Sequence, residues 1–480
     1  MVCFPPLISE KGVALLTQNR QFQYFSNPSY IFPVIPAYAA TMLKESGFEV
    51  SWLDAIASKM SYPDFYSELS RQKPGIMLLE TKTPVVKRHW KIIEEIKKIL
   101  PETKIAICGD HITALPEETM LNSQADFAIT GGDFDFSFLE ICRFLEGKGE
   151  LPPGVWHRKG GKIVNTGNFK LNHDLNSLPF IDRELTRHEL YNLEYNLKGK
   201  PFEYIMAGRD CPYHKCRFCS WTTLFPAFRA RKPENVLDEI GFLIEKYKVR
   251  EIFDDSGTFP PGKWLEDFCN GMIERGYNKK IFFSCNMRVD YLNRENVVLM
   301  KKAGFRLLKA GLESGNQKTL DRLDKGTTIE QIENACLIAK KAGLEIHLTV
   351  MVGYPWETKE DAERTYALTK KLMTKGLADI MQATVIIPYP GTPLYKEAVE
   401  EGWLLVGRDD YEQFDMGRPI LKAKDMSSEE VTAMCGKIYG IFLEPGYILH
   451  TFLSIRSFAD LAFATRGVKA VFGHLLDFKS

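Results

Sequence analysis

Three cysteines within nine residues stand in the run Gly208-Arg-Asp-Cys211-Pro-Tyr-His-Lys-Cys216-Arg-Phe-Cys219-Ser-Trp221. This loop directly follows a predicted strand over residues 204–207. Three thiolates on one loop can ligate three irons of a [4Fe–4S] cluster and leave the fourth iron open. An open metal position suits catalysis, whereas a structural metal site closes its coordination shell. The spacing therefore predicts a catalytic cluster held by Cys211, Cys216 and Cys219.

Two other interpretations of the cysteine loop stay open at this point. Zinc could bind the three cysteines together with His214, although a histidine between the first two cysteines is poorly placed for a tetrahedral site. A purely electron-transferring cluster would need a distant fourth ligand, and the next cysteine along the chain is Cys269.

The strands around the loop predict the fold of the second half of the chain. Apolar runs separated by amphipathic helical segments indicate a partial (β/α)6 TIM-type barrel over residues 196–400. Its six predicted strands cover residues 204–207, 251–253, 281–284, 307–310, 346–352 and 381–387. In such barrels chemistry lies where strands end and loops begin, so the cysteine loop occupies a catalytic position.

The first 150 residues also alternate strand and helix patterns. Strands predicted at residues 2–4, 48–53, 76–79, 105–108 and 127–130 favour an α/β fold with a Rossmann-like, doubly wound parallel sheet. Residues 151–195 read as a linker that contains a hairpin turn at residues 154–161. The last stretch, residues 401–480, is predicted to be a helical domain.

Composition limits the function classes. Lysine plus arginine and aspartate plus glutamate number 62 each, so no overall basic excess attracts nucleic acid, and no nucleic-acid partner is expected. Ten cysteines in 480 residues are too sparse for a disulfide scaffold. The start of the chain has no signal-peptide pattern, and no run of 18 apolar residues occurs. A cytoplasmic location is therefore expected.

The aromatic and aliphatic positions from Phe442 to Phe478 allow two interpretations. A terminal helical cap packed on the barrel is the simpler one. The other is an interfacial helix with peripheral membrane contact, or a lid over an apolar substrate.

The cysteine loop resembles the cluster motif of radical S-adenosylmethionine (SAM) enzymes, in which the open iron chelates the amino and carboxylate groups of SAM. The commonest family spacing has three residues and then two, whereas four residues separate Cys211 from Cys216 here. Segments that follow the later strands resemble the family's SAM-binding segments in the same order. The resemblance implies SAM contacts from Phe218, Asp254, Asp255, Ser284, Asn286, Arg288, Glu313, Ser314 and Gly353. In it, Phe218 and Gly353 lie near the adenine, Arg288 pairs with the SAM carboxylate, and Glu313 binds the ribose or the methionyl amine.

The N-terminal domain resembles the cobalamin-binding domain that precedes many radical SAM domains. The resemblance implies cobalamin contacts from strand ends at Thr81, Thr83, Gly109, Thr113, Gly131 and Gly132. The Asp-x-His-x-x-Gly motif that supplies a cobalt-ligating histidine is absent, and His111 stands elsewhere. A degenerate Rossmann domain retained for packing or for substrate binding is the alternative.

The resemblance also implies the reaction. A 5′-deoxyadenosyl radical would activate the substrate, and methylcobalamin would methylate an unactivated carbon. Radical cyclisation, rearrangement or carbon–carbon coupling is the second candidate, and a non-catalytic metal-binding module is the third. The expected partners are a small hydrophobic or lipid-like substrate and an electron donor such as flavodoxin or ferredoxin.

Overall fold

Two parallel sheets follow each other along the chain in the computed structural model. The structure describes residues 1–9, 12–14, 24–25, 30–191, 197–456 and 458–477. Residues 192–195 of the predicted linker, and Phe478 in the predicted tail, lie outside these ranges. The bounds predicted for the four domains stay predictions.

In the N-terminal region, the described residues form ten strands and six α-helices. In chain order they are β1 (Val2–Phe4), β2 (Ile8–Ser9), β3 (Gly12–Ala14), β4 (Tyr24–Phe25), α1 (Val34–Glu45), β5 (Trp52–Asp54), α2 (Tyr62–Gln72), β6 (Ile76–Glu80), α3 (Val86–Ile99), β7 (Lys104–Cys108), α4 (Asp110–Ala114), α5 (Pro116–Asn122), β8 (Phe127–Ile129), α6 (Phe134–Leu145), β9 (Val155–Lys159) and β10 (Lys162–Asn165).

The order of the first sheet is β10-β9-β8-β7-β6-β1-β5, and its five strands from β8 to β5 run parallel. Strand order reverses between β1 and β6, so the crevice between their carboxyl ends is the place where such sheets bind ligands. The hairpin β9–β10, expected within the linker, adds two antiparallel strands to the edge of this sheet. The predicted doubly wound sheet is confirmed.

The second region is the predicted barrel. Its elements are β11 (Phe202–Ile205), β12 (Gly208–Arg209), α7 (Trp221–Leu224), β13 (Arg229–Ala230), α8 (Pro233–Tyr247), β14 (Glu251–Asp254), α9 (Lys263–Glu274), β15 (Phe282–Asn286), α10 (Arg294–Lys302), β16 (Phe305–Glu313), α11 (Gln317–Arg322), α12 (Ile329–Ala342), β17 (Glu345–Val352), α13 (Lys359–Thr374), β18 (Ile380–Val385) and α14 (Pro393–Glu400). Six parallel strands pair in the order β11-β14-β15-β16-β17-β18, which confirms the partial barrel.

A buried ion cluster joins the two regions. Arg209, which is 1% exposed, donates to the Asp133 carboxylate over 2.7 Å and to both oxygens of Asp135. Arg229 also donates to Asp133, at 2.6 and 2.8 Å. Because Arg209 stands two residues before Cys211, this cluster ties the cysteine loop to the N-terminal domain.

After the barrel, the described residues form three further α-helices: α15 (Ser428–Tyr439), α16 (Pro445–Ser454) and α17 (Phe458–Asp477). Together α16 and α17 border a cavity that is also lined by Glu345, Asp379 and Ile380, at the amino ends of β17 and β18. The cysteine loop follows the opposite, carboxyl ends of the strands. The described part of this segment therefore does not form the lid over the catalytic end that one interpretation of the tail proposed.

Candidate functional site

The cysteine loop lies at the carboxyl end of the barrel. Cys211, Cys216 and Cys219 all line one cavity, and all three are free thiols. The loop turns tightly, because the Cys219 N–H donates to the Cys216 carbonyl over 3.2 Å. Asp210 and His214 adopt left-handed backbone angles, with φ of 76° and 52°. Three thiols that share one cavity are a donor set that fits a [4Fe–4S] cluster with one open iron.

Two side chains donate toward the cysteine sulfurs. The Thr258 hydroxyl lies 3.2 Å from Cys211 Sγ, and Arg288 Nη1 lies 3.9 Å from Cys216 Sγ. Burial raises the pKa of the Cys216 thiol to about 11, whereas the nearby Lys325 ammonium acts in the opposite direction. The donors thus favour negative charge on the sulfur atoms, while burial of Cys216 opposes it.

Polar residues from successive strand ends complete the cavity wall. Asn286 ends β15 and donates to the Ser256 carbonyl over 2.8 Å. Glu313 ends β16 with a φ of 60° and accepts a 2.7 Å hydrogen bond from Lys325. A Cβ atom at Gly311 would lie 2.0 Å from a Glu313 carboxylate oxygen, so the ion pair packs directly against this glycine. Glu313 from the end of β16 and Lys325 from the loop after α11 thus place both charges in the cavity wall.

Arg288 and Phe218 both line this cavity. The Arg288 guanidinium already binds Asp290 with two hydrogen bonds of 2.9 and 3.0 Å, and it lies 3.9 Å from the centre of the Tyr213 ring. Its planar fork is therefore engaged inside the protein, and only Nη1 points toward the cysteines. The Phe218 ring lies 5.9 Å from Lys325 Nζ.

Five predicted SAM contacts are not among the residues that line this cavity: Asp254, Asp255, Ser284, Ser314 and Gly353. The Asp254 carboxylate accepts from the backbone N–H groups of Ala207 and Ser256, and burial raises its pKa to about 6. Asp255 is fully buried, and its N–H donates to the Ile205 carbonyl. The Asp254 carboxylate therefore binds backbone N–H groups at the ends of β11 and β14 instead of facing the cavity.

The other three lie in the packing around the strands. Ser284 donates to Glu251 over 2.8 Å, one layer deeper in the barrel than Asn286. Ser314 donates to Glu357 over 2.7 Å, away from the cavity. A Cβ atom at Gly353 would lie 2.8 Å from Val431 on α15, so this glycine allows close helix packing.

The zinc alternative finds no donor arrangement in the part of the chain that is described. There, no three side chains of His, Cys, Asp or Glu stand close enough to share one metal ion. His214 instead pairs through Nδ1 with Asp210.

Six predicted cobalamin contacts lie at the carboxyl edge of the first sheet, and each is engaged within the protein. Thr81 bonds His89 at 2.7 Å, and Thr83 bonds His111 at 3.2 Å. Thr113 donates to the Gly109 carbonyl and accepts from the Gly131 N–H.

Other atoms of the protein also occupy the space beside the glycines of this edge. A Cβ atom at Gly109 would lie 2.2 Å from the Thr81 carbonyl oxygen. At Gly131 it would meet the Phe169 ring, and at Gly132 the Phe225 ring. Above Thr83, Tyr411 covers His111 with the two ring centres 4.6 Å apart. In this conformation the edge does not fit cobalamin, because side chains occupy the place where the ligand would lie.

Several residues that line the cavity were not predicted: Thr258, Lys309, Thr349, Thr384, Tyr389 and Met416. Thr258 stands in the segment after β14 that the resemblance singled out, so its position was a usable signal. Lys309, Thr349 and Thr384 lie inside β16, β17 and β18, and alternation along those strands could have identified them. Met416 comes from a loop with no pattern that points to the cavity.

Comparison with known proteins identifies the two regions. Residues 205–369 match the radical SAM superfamily, and residues 28–133 match the B12-binding domain. "Uncharacterized methyltransferase PH0819" of Pyrococcus horikoshii is 27% identical over 92% of this chain and 94% of its own length. The anaerobic magnesium-protoporphyrin IX monomethyl ester cyclase of Cereibacter sphaeroides is 25% identical over 83% of this chain and 65% of its own.

The fold agrees with a solved structure. The cobalamin-dependent S-adenosylmethionine radical enzyme OxsB, with aqua-cobalamin and S-adenosylmethionine bound, superposes with a TM-score of 0.69 at 14% identity. The match covers 99% of this chain and 72% of OxsB. The predicted domain pair and its cofactors, a [4Fe–4S] cluster, SAM and cobalamin, are confirmed by the family matches. The chain belongs to the radical SAM superfamily of enzymes, in the subgroup that carries an N-terminal B12-binding domain.

Proposed function

We propose that this enzyme methylates an unactivated carbon of a small hydrophobic molecule. The observation that carries the radical part is one cavity, shared by three free cysteines of a single loop and by polar side chains from successive barrel strands. The B12-binding domain and the methyltransferase name of the P. horikoshii relative support methylation.

In this proposal Cys211, Cys216 and Cys219 hold the cluster. When bound there, a [4Fe–4S] cluster supplies the electron that cleaves the SAM sulfonium and leaves a carbon radical. Thr258 and Arg288 direct N–H and O–H donors at the sulfurs and orient the loop. The Glu313–Lys325 pair and Asn286 present charges and an amide for the polar parts of SAM.

The apolar part of the cavity supports a hydrophobic substrate. Met351, Ile386, Ile387 and Met416 contribute apolar side chains to the cavity wall. Apolar walls hold a substrate carbon without competing polar contacts and keep water from the radical.

A direct test measures two products after anaerobic reconstitution with iron and sulfide. We expect SAM and a reductant to give 5′-deoxyadenosine, with S-adenosylhomocysteine as a co-product once substrate and cobalamin are present. Absence of 5′-deoxyadenosine under every condition would contradict the radical assignment.

The second candidate is radical cyclisation, which the named activity of the C. sphaeroides relative favours. The same assay separates it, because cyclisation predicts 5′-deoxyadenosine without S-adenosylhomocysteine.

The partners follow from the chemistry. A radical SAM enzyme needs a reductant and acts on a small-molecule substrate. We place flavodoxin or ferredoxin in the first role. A cytoplasmic location is part of the proposal and is supported by ten free cysteines.

We also propose peripheral membrane contact through α16. No helix of the described residues is long and apolar enough to cross a membrane. Nevertheless Ile448, Leu449, Phe452 and Leu453 form an exposed stripe on α16, and Phe452 is 70% exposed. Flotation with anionic liposomes should be lost in the double variant Phe452→Glu/Leu453→Glu. The control Leu121→Glu changes an equally exposed leucine on α5 and should float like the wild type.

A further inference from the structure

Two side chains from outside the cysteine loop donate to two different cysteine sulfurs. The Thr258 hydroxyl donates to Cys211 Sγ over 3.2 Å, and Arg288 Nη1 donates to Cys216 Sγ over 3.9 Å. Thr258 follows β14 and Arg288 follows β15, and these two strands are neighbours in the barrel sheet. The ends of two barrel strands therefore contact the proposed cluster ligands directly.

The position of Thr258 is set by the backbone around it. The Thr258 N–H donates to the Asp210 carbonyl over 3.4 Å. A Cβ atom at Gly257 would lie only 2.7 Å from that carbonyl oxygen, so glycine lets the segment after β14 come close to the residue before Cys211. Thr258 is also buried, at 3% exposure. Its hydroxyl is thus placed beside Cys211 by contact between two backbone segments.

Arg288 is held by partners on several sides. Nε and Nη2 donate to the two oxygens of Asp290 over 2.9 and 3.0 Å, and Nη2 also donates to the Lys325 carbonyl over 2.8 Å. The Tyr213 ring covers the guanidinium, with its centre 3.9 Å away, and the Tyr213 hydroxyl donates to Asp324 over 2.8 Å. A bidentate pair with a carboxylate needs N–H groups on two nitrogens. Only Nη1 is left for a partner in the cavity.

Hydrogen bonds to the sulfurs of an iron–sulfur cluster help to set its reduction potential, because they stabilise the more negatively charged, reduced state. We propose that Thr258 and Arg288 are positioning residues that raise the reduction potential of the cluster through Cys211 and Cys216, and that Arg288 does not pair with the SAM carboxylate. The inference rests on the proposed function, because it takes the three cysteines of the loop as cluster ligands. Reduction moves one electron from an external one-electron donor to the cluster and forms or breaks no bond in the chain.

The main variant is Thr258→Val, which keeps the shape of the side chain and removes the donor. It should lower the equilibrium constant for reduction about tenfold, which is about 59 mV for a one-electron couple. Thr258→Ser keeps the hydroxyl and should keep the wild-type potential. The matched control is Thr384→Val, which removes a hydroxyl from the same cavity wall on β18. Among the described residues, the Thr384 hydroxyl donates to no cysteine sulfur.

The second variant, Arg288→Lys, separates the two roles of the arginine. Lysine keeps the positive charge that a SAM carboxylate would attract, but it lacks the planar group that contacts Asp290 and Cys216 together. A positioning role predicts a lower reduction potential and an unchanged dissociation constant for SAM. A SAM-binding role predicts the reverse.

The experiment uses the full chain, reconstituted anaerobically with iron and sulfide. Samples without SAM are poised at set potentials with dithionite and redox mediators, and the electron paramagnetic resonance signal of the reduced cluster gives the midpoint potential. Equilibrium dialysis of the oxidised proteins against radiolabelled SAM gives the dissociation constants. We expect lower potentials for Thr258→Val and Arg288→Lys, wild-type potentials for Thr258→Ser and Thr384→Val, and wild-type SAM affinity for Arg288→Lys.

A wild-type potential in Thr258→Val would overturn the proposal, and so would weaker SAM binding by Arg288→Lys at an unchanged potential. Iron and sulfide are counted per chain before each measurement. Loss of the cluster from Thr258→Val but not from Thr258→Ser would support the positioning role of the hydroxyl, whereas loss from both would overturn it. Failure of the proposed function looks different: the potentials shift as expected, yet no S-adenosylhomocysteine forms with any substrate.

Discussion

The carboxyl edges of the two parallel sheets occupy equivalent positions in their folds, but one surrounds a cavity and the other is covered by side chains. At the barrel edge, glycine at residue 311 leaves space, and the ion pair of Glu313 with Lys325 and the three cysteines surround an open cavity. At the edge of the first sheet, Thr81 and Thr83 are at most 1% exposed, Tyr411 packs against His111, and aromatic rings lie close to Gly131 and Gly132.

The difference shows that a ligand-binding topology does not by itself provide a ligand-binding surface. The barrel edge is kept open by charges that must remain solvated or paired, and these resist collapse. The first edge is covered by apolar side chains from distant parts of the chain, and their burial is favourable until a ligand replaces them.

The largest effect is expected when a cysteine at the barrel edge is replaced and is compared with a cysteine elsewhere in the chain. Cys216→Ala removes one of three proposed cluster ligands, so SAM cleavage should fall at least 100-fold, because an unligated iron is lost from the cluster. Quantification of 5′-deoxyadenosine after anaerobic reconstitution checks it. Cys269→Ala, a buried cysteine on α9 outside the cavity, should keep most of the activity. Full cleavage by Cys216→Ala would contradict the assignment.

The second-largest effect is expected at the buried ion cluster that joins the two regions. Arg209→Met leaves the buried Asp135 carboxylate without its partner, which should cost about 3–5 kcal/mol of stability. The control is Arg71→Met, which breaks an equally bidentate arginine–carboxylate pair with Glu68 on the surface and should cost far less stability, because water screens an exposed pair. Thermal unfolding of both variants makes the comparison, and equal losses would show that Arg209 does not carry the junction.

The pH dependence of folding stability tests the packing around the buried Glu357. Burial raises the pKa of Glu357 to about 7, above its ordinary value of 4.5. The protonated form is favoured in the folded state, so stability is complete below about pH 4.5 and falls as the pH rises through 7. The loss should approach about 3 kcal/mol. Glu357→Gln keeps an acceptor for Ser314 and removes the titration, so it should be more stable than the wild type at pH 8 but similar at pH 5. Urea unfolding at pH 5 and pH 8 measures the stability of both proteins. If the stability difference between Glu357→Gln and the wild type is the same at both pH values, the raised pKa of Glu357 is contradicted.

The smallest effect asks why the first edge needs glycine. A Cβ atom at Gly109 would lie 2.2 Å from the Thr81 backbone oxygen, so Gly109→Ala should cost about 2 kcal/mol more than Gly149→Ala. Gly149 also has a positive φ, of 93°, but has no atom within 4 Å of a Cβ position. Chemical denaturation compares them. Equal costs would mean that backbone strain alone, rather than the approach of Thr81, requires the glycine.

Much of the fold could be predicted because apolar runs such as residues 346–352 are buried on both faces, as parallel strands must be. The cysteines, Asn286 and Glu313 could be placed at the cavity because strand ends of a barrel meet at one face. Ser284 and Ser314 could not be separated from them by motif alone. Depth along the strand places Ser284 beside Glu251, whereas Ser314 lies past the end of β16 and donates to Glu357.

The position of the loop that carries Tyr411 could not be predicted for a different reason. Tyr411 reaches Glu118 across 293 positions of sequence, and no local pattern encodes such a contact. The hairpin β9–β10 was recognised as a hairpin, but its pairing with β8 depends equally on a long-range contact.

The central claim is that the cysteine loop holds a [4Fe–4S] cluster at the open barrel edge. Anaerobic reconstitution followed by iron, sulfide and zinc analysis tests it most directly, with the triple variant Cys211→Ala/Cys216→Ala/Cys219→Ala beside the wild type. We predict about four irons and four sulfides per wild-type chain and almost none in the triple variant. One zinc per chain without iron, or equal iron in both proteins, would contradict the account.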